Sequence, residues 1–117
     1  MIIKGKIVKG MGIAGDLGFP TVNIEYGGLE RGVFAARVKY RGVEYAAAVN
    51  VGPKPTFDID KVFVEAHLIE VEGFEAVEGS EIKIELVEKV RDVKKFKDGA
   101  ELSRQISSDI EIVRDLL

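Results

Sequence analysis

The sequence predicts an all-β barrel with a C-terminal α-helix, built from six antiparallel strands. Three observations point there. Six runs alternate with the period of two that marks strands, separated by turns rich in glycine or proline. A helical period of three to four occurs only in the last twenty residues. Strand–helix–strand alternation is missing, which argues against a Rossmann or P-loop domain. Closure into a barrel is the arrangement that leaves no sheet edge open.

Taken in order, residues 1–9 read as a short strand carrying Ile2, Ile3, Ile7 and Val8 around Gly5. Residues 10–18, "GMGIAGDLG", hold four glycines in nine positions, a composition that makes any regular element costly. Pro20 stands at a strand start, where its missing N–H is tolerated. In "TVNIEY" Thr21, Asn23 and Glu25 share one face, and Val22, Ile24 and Tyr26 the other. "VFAARVKY" and "VEYAAAVNV" read as a hairpin turning at Arg41-Gly42. "GPKPTFDID" cannot be a central strand, because Pro53 and Pro55 lack donors. "KVFVEAHLIEV" and "EIKIELVEKV" complete the set. Leu102, Ile106, Ile110, Val113 and Leu117 then form the helical stripe, with Asp98 as N-cap and Glu101 as its capping-box partner.

The chain of 117 residues suits one domain and is long enough for a core without staples. It has no cysteine and one histidine, which excludes disulfides, thiolate metal sites and histidine-rich metal clusters. The net charge of −3 gives no support for a nucleic-acid partner. No apolar run reaches the roughly 18 residues of a membrane span, and the N-terminus lacks the apolar region of a signal peptide. The expectation is a reduced, soluble, cytoplasmic protein with no membrane partner. Oligomeric state is not legible.

Three places could carry chemistry. The first is the glycine loop with Thr21 and Asn23. Gly10, Gly12, Gly15 and Gly18 allow backbone N–H groups to approach an anion. Thr21 and Asn23 lie on one face about 6–7 Å apart, and their neutral oxygens suit a hard cation such as Mg²⁺. A mobile loop before a wet strand face is the plainer reading. The loop is not a Walker A motif, since no Lys-Ser/Thr follows the glycines. The second is Glu65 with His67, opposite the apolar row Val62, Val64, Ala66 and Leu68. A carboxylate among apolar neighbours is suited to general-base work; an ordinary charged residue on a wet strand is the alternative. The third is "NVGPKPTF", whose two prolines stiffen the loop and lower the entropy lost on binding. There Lys54 could meet a phosphate or stay solvated. Arg91, Lys94 and Lys95 read most simply as a solvated basic patch.

"LGFPTVN", "NVGPKPTF", "VEAHL", "VRDVKKF" and a helix bearing "LSRQISSDI" occur in the order and spacing of riboflavin kinases. Over nearly its whole length the chain resembles the flavokinase module that forms the C-terminal half of bacterial bifunctional FAD synthetases. The resemblance implies a six-stranded antiparallel Greek-key barrel with a C-terminal helix. It implies transfer of the γ-phosphate of Mg–ATP to the 5′-hydroxyl of riboflavin, giving FMN and ADP. The loop from Gly10 to Gly18 would hold the phosphates, and Thr21 and Asn23 would help bind Mg²⁺ and phosphate. Glu65 matches the family's proposed catalytic base. Asn50, Lys54, Thr56, His67 and Arg91 are candidates for the nucleotide or flavin pocket. Phe57, Phe63, Ile69, Phe74 and Phe96 are candidates to line a flavin slot, with core packing as the alternative for each and the terminal helix as a lid.

The chain departs from the family at Met11 and Gly15, where basic residues are frequent, and at Asp16, which sets a negative charge near the expected polyphosphate. These departures favour the alternative function, a non-catalytic or weakly active flavin- or nucleotide-binding barrel. The kinase is expected either free-standing or within a larger bifunctional FAD synthetase.

Overall fold

The computed structural model describes residues 1–8, 20–26, 30–52, 63–71 and 74–117. Among these residues six strands and one helix follow in chain order: β1 (Ile2–Val8), β2 (Thr21–Glu25), β3 (Gly32–Tyr40), β4 (Val43–Gly52), β5 (Phe63–Leu68), β6 (Glu81–Arg91) and α1 (Gly99–Leu116). The strands close into a barrel in the order β1-β2-β5-β4-β3-β6, every neighbouring pair antiparallel. Because β2 lies beside β5 rather than β3, and β6 returns to β1, the connectivity is a Greek key and each strand has two partners.

The alternation that marks the strands also fills the barrel. Ile3 and Ile7, Val22 and Ile24, Ala47, Val49 and Val51, Val64, Ala66 and Leu68, and Ile82 and Ile84 all turn inward into one core. Each buried branched side chain contributes roughly 1.5–3 kcal/mol relative to exposure. At one end Phe74 packs on Tyr40 and Tyr45, with ring centroids 5.6 and 5.3 Å apart. The Tyr40 hydroxyl is held there by Ser80 at 2.9 Å and accepts from the Val77 N–H at 3.2 Å. Phe74 therefore takes part in the barrel packing.

The β3–β4 hairpin turns where expected. Arg41 and Gly42 both have positive φ, 49° and 79°, the signature of a primed two-residue turn whose twist matches the strands it joins. Gly32 opens β3 at φ 154°, and a Cβ there would sit 3.1 Å from the Arg91 carbonyl oxygen. β5 stops at Leu68, short of the predicted end at Val71, because the chain bends there and Glu70 takes φ 57°.

Asp98 caps α1 as predicted: its Oδ1 accepts from the Glu101 N–H at 2.8 Å. The helical stripe needs one correction. Ile106 and Val113 are buried, but Leu117 is exposed, and the third buried position belongs to Asp109. A carboxylate takes that place because it is paired. Arg91 grips Asp109 through two bonds, Nε to Oδ1 at 2.9 Å and the terminal nitrogen to Oδ2 at 2.8 Å, and Gln105 donates a third at 3.0 Å. The expected solvated basic patch is corrected at Arg91 alone, since Lys94 and Lys95 are exposed. Arg91 is mostly buried, and Lys94 donates to Gln105 at 3.1 Å. Around this clamp Val113 packs with Ala35, Ala48 and Ile69, joined by Ala46, Val90 and Ile110, forming a second apolar cluster outside the barrel. Small side chains on β3 and β4 let the helix approach closely. No described helix is long and apolar enough to cross a membrane.

Candidate active site

With Val22 and Ile24 committed to the interior, the alternation of β2 sends Thr21 and Asn23 to the outer wall. The same holds on β5, where Val64, Ala66 and Leu68 point in and Glu65 and His67 point out. The β2–β5 register then sets Thr21 opposite His67 and Asn23 opposite Glu65. Directly opposed residues of antiparallel strands have Cα atoms about 4.5–5.5 Å apart. On the other side of β5, Asn50 of β4 also lies opposite Glu65, and Ala48 lies opposite His67. Two parallel rows result: Asn50–Glu65–Asn23 and Ala48–His67–Thr21.

A hydrogen-bonded chain joins the rows. The Thr21 hydroxyl lies 3.3 Å from His67 Nδ1, and His67 Nε2 lies 3.2 Å from Glu65 Oε1. The His67 side chain is 7% exposed and that of Glu65 is 18%, so this carboxylate keeps an accessible edge while its neighbour is enclosed. Asn23 is also buried, although it faces away from the barrel interior.

The predicted residues thus separate into groups. Thr21, Asn23, Asn50, Glu65 and His67 come together on three adjacent strands. Arg91 shares the outer row through Val33, which lies opposite both Asn50 and Arg91, but its guanidinium is held by Asp109. Gly10, Gly12, Gly15, Gly18, Lys54, Thr56 and Phe57 lie outside the described residues, as do Met11 and Asp16. Phe63 is buried on β5, Ile69 belongs to the packing beneath α1, and Phe96 is half-buried. The buried side of α1 is occupied by barrel packing. At its C-terminal end a groove of about 720 Å³ opens between Pro20, Leu68, Ile69, Ile110 and Arg114, next to Thr21 and His67 in sequence.

The donor set fits a divalent cation carried in by a polyphosphate. Among the described residues no group of three or more His, Cys, Asp or Glu side chains could hold a metal alone. A hydroxyl and an amide oxygen beside one carboxylate suit Mg²⁺, which keeps most of its ligands as water and phosphate oxygens. The role of Asp109 was not legible in the sequence, although its place on the helical stripe, three residues after Ile106 and four before Val113, is the signal that could have revealed it. That Asn50 lies beside Glu65 follows from the register alone.

Comparison with known proteins agrees with this architecture. The flavokinase family model, described as riboflavin kinase, matches residues 1–117. A bifunctional riboflavin kinase/FMN adenylyltransferase of Bacillus subtilis (strain 168) is 35% identical over 114 residues, covering 92% of this chain and 35% of that protein. The enzyme of the same name from Buchnera aphidicola (subsp. Acyrthosiphon pisum, strain APS) is 34% identical over 119 residues, covering 96% of this chain and 37% of that protein. The chain therefore spans about a third of the length of these relatives. A solved riboflavin kinase from Trypanosoma brucei superposes with a TM-score of 0.66 at 26% identity, covering 99% of this chain and 78% of that one. On the match along its whole length, this chain belongs to the riboflavin kinase family.

Proposed function

We propose that this protein transfers the γ-phosphate of ATP, bound with Mg²⁺, to the 5′-hydroxyl of riboflavin, giving FMN and ADP. The observation that carries the reading is the register that sets Glu65 opposite Asn23, in a chain of the riboflavin kinase family. Phosphoryl transfer asks a protein mainly to position groups and balance charge. Glu65 takes the proton of the ribityl hydroxyl as that oxygen bonds to the γ-phosphorus. The bond from phosphorus to the β–γ bridging oxygen breaks, and ADP leaves with its electron pair. Thr21 and Asn23 would hold the cation, whose charge offsets that of the phosphates when bound. Asn50, beside Glu65, is placed to orient the carboxylate or the substrate hydroxyl.

The test is incubation with riboflavin, ATP and Mg²⁺, with FMN followed by chromatography. Wild type is expected to form FMN. Glu65→Gln is expected to lose about 10²–10⁴-fold in turnover, the usual contribution of general-base catalysis, while still binding flavin. Flavin binding with no FMN formed from ATP or another nucleotide such as CTP would instead support a binding barrel. No binding and no turnover would overturn both readings.

A further inference from the structure

We propose that Asp109 is a positioning residue: through Arg91 and Gln105 it fixes Val93 beside Asn50 as one wall of the flavin-binding end of the site. The inference rests on the kinase reading of this same site. The geometry begins at one carboxylate. Asp109 accepts from Arg91 Nε at 2.9 Å, from an Arg91 terminal nitrogen at 2.8 Å, and from Gln105 Nε2 at 3.0 Å. Each of those partners reaches on to the segment that follows β6. The other terminal nitrogen of Arg91 donates to the Asp92 carbonyl oxygen at 2.8 Å, and Gln105 Oε1 accepts from Lys94 Nζ at 3.1 Å. Val93 stands between the two anchored residues and is 43% exposed. A Cβ on Gly52 would lie 3.7 Å from Val93 Cγ2 and 3.9 Å from Asn50 Nδ2, so the valine methyl and the Asn50 amide flank the same spot at the end of β4. Asn50 in turn lies opposite Glu65.

The row Asn50–Glu65–Asn23 has two sides. The cation and the phosphates are assigned to Thr21 and Asn23 on β2, and the acceptor hydroxyl to Glu65. In-line transfer sets the body of the acceptor on the side of Glu65 away from the phosphates, toward Asn50 and Val93. Val93 offers an exposed apolar surface there, which suits the flat ring system of riboflavin. A wall held in place before binding loses less freedom when the ligand arrives. Asp109, with a side chain 4% exposed, supplies that order from α1 through its two partners. The surface ion pair of Lys89 with Asp92 is left intact in every variant below.

Affinity is read from the quenching of riboflavin fluorescence, which needs no turnover. The double variant Arg91→Met, Asp109→Leu removes both charges together, so α1 is expected to stay docked while Asp92 and Gln105 lose their anchors. Its riboflavin Kd and KM are expected to rise about tenfold, with KM for ATP nearly unchanged and most of the wild-type urea midpoint kept. Gln105→Met cuts the Lys94 branch, leaves the ion pair intact, and is expected to raise the riboflavin Kd about threefold. Should the double variant fail to fold, this variant decides, and an unchanged Kd in it overturns the proposal. Val93→Ser breaks none of these bonds and is expected to raise the riboflavin Kd about three- to tenfold with the midpoint unchanged. A folded double variant that binds riboflavin as the wild type does, or one whose KM for ATP rises equally, would reduce Asp109 to a helix-docking residue. An unchanged Kd in Val93→Ser would remove the wall itself, and a wild type that binds no riboflavin would likewise overturn the inference. A wild type that binds riboflavin but forms no FMN would overturn the kinase reading alone.

Discussion

Replacing Asp109 with alanine removes the carboxylate that ties α1 to the end of β6. The magnitude follows from the site. The Asp109 side chain is 4% exposed and that of Arg91 18%, and two charge-assisted bonds of 2.9 and 2.8 Å join them. Breaking a buried pair from one side costs about 3–5 kcal/mol, mostly because a charge is left without its partner. The partial exposure of Arg91 lets water recover some of that, so a loss of about 2–4 kcal/mol is expected. In urea, with a slope of about 1–3 kcal/mol per molar, the midpoint should fall by roughly 1–2 M. The melting temperature should fall by about 10 °C. Replacing both partners with apolar residues, Arg91→Met with Asp109→Leu, should restore much of the loss, because no charge then remains to be solvated. Urea titration of the wild type, Arg91→Met, Asp109→Leu and the double variant gives the coupling energy directly. An Asp109→Ala loss below about 1 kcal/mol, or a coupling near zero, would refute the claim that this pair docks the helix.

Further outcomes follow from other parts of the fold. Gly32→Ala should lower stability by about 1–3 kcal/mol in thermal unfolding, since its φ of 154° disfavours a side chain and the new Cβ would meet the Arg91 carbonyl oxygen at 3.1 Å. Asp98→Ala should cost about 1 kcal/mol by the same measurement, through loss of the N-cap bond to Glu101. Hydrogen bonds from Lys89 to Asp92 and Glu30 raise the Lys89 pKa above its ordinary 10.5, and the bond to Lys89 holds Asp92 below its ordinary 3.8. The stabilisation linked to Lys89 is therefore fully present below pH 10.5 and lost as pH rises through the raised value. That linked to Asp92 is present above pH 3.8 and lost as pH falls through the lowered value. Comparing the pH dependence of unfolding in wild type and Lys89→Met should isolate both limbs, and identical curves would contradict the assignment. Asn23→Ala should raise the Mg²⁺ concentration for half-maximal FMN formation by about 10–100-fold, measured by titrating Mg²⁺ at saturating ATP.

Local pattern made much of this protein legible before any coordinates. Alternation on six runs separated inward from outward residues, so the faces of Thr21, Asn23, Glu65 and His67 followed from period two alone. The Arg41-Gly42 turn and the Asp98 cap were legible for the same reason: each depends on a few consecutive residues. The five ordered segments carried the resemblance through their order and spacing along the chain.

Pairing between distant strands was a matter for the tertiary structure. Glu65 lies 42 residues from Asn23 in the chain, and the register of β2 with β5 makes them neighbours; a slip by one residue would turn each strand's outward set into the core. Asp109 is buried because Arg91, 18 residues away in the chain, supplies its counter-charge, and that pairing exists only in the folded molecule. Phe74 could have lined a pocket on composition alone, and its packing on Tyr40 and Tyr45 is set by the tertiary structure; Ile69 both packs under α1 and lines the groove beside it. Hydrophobic period is a local property of one strand or helix. Which carboxylate meets which amide, and which charge finds its counter-charge, depends on contacts across the chain that come into being only when the barrel closes.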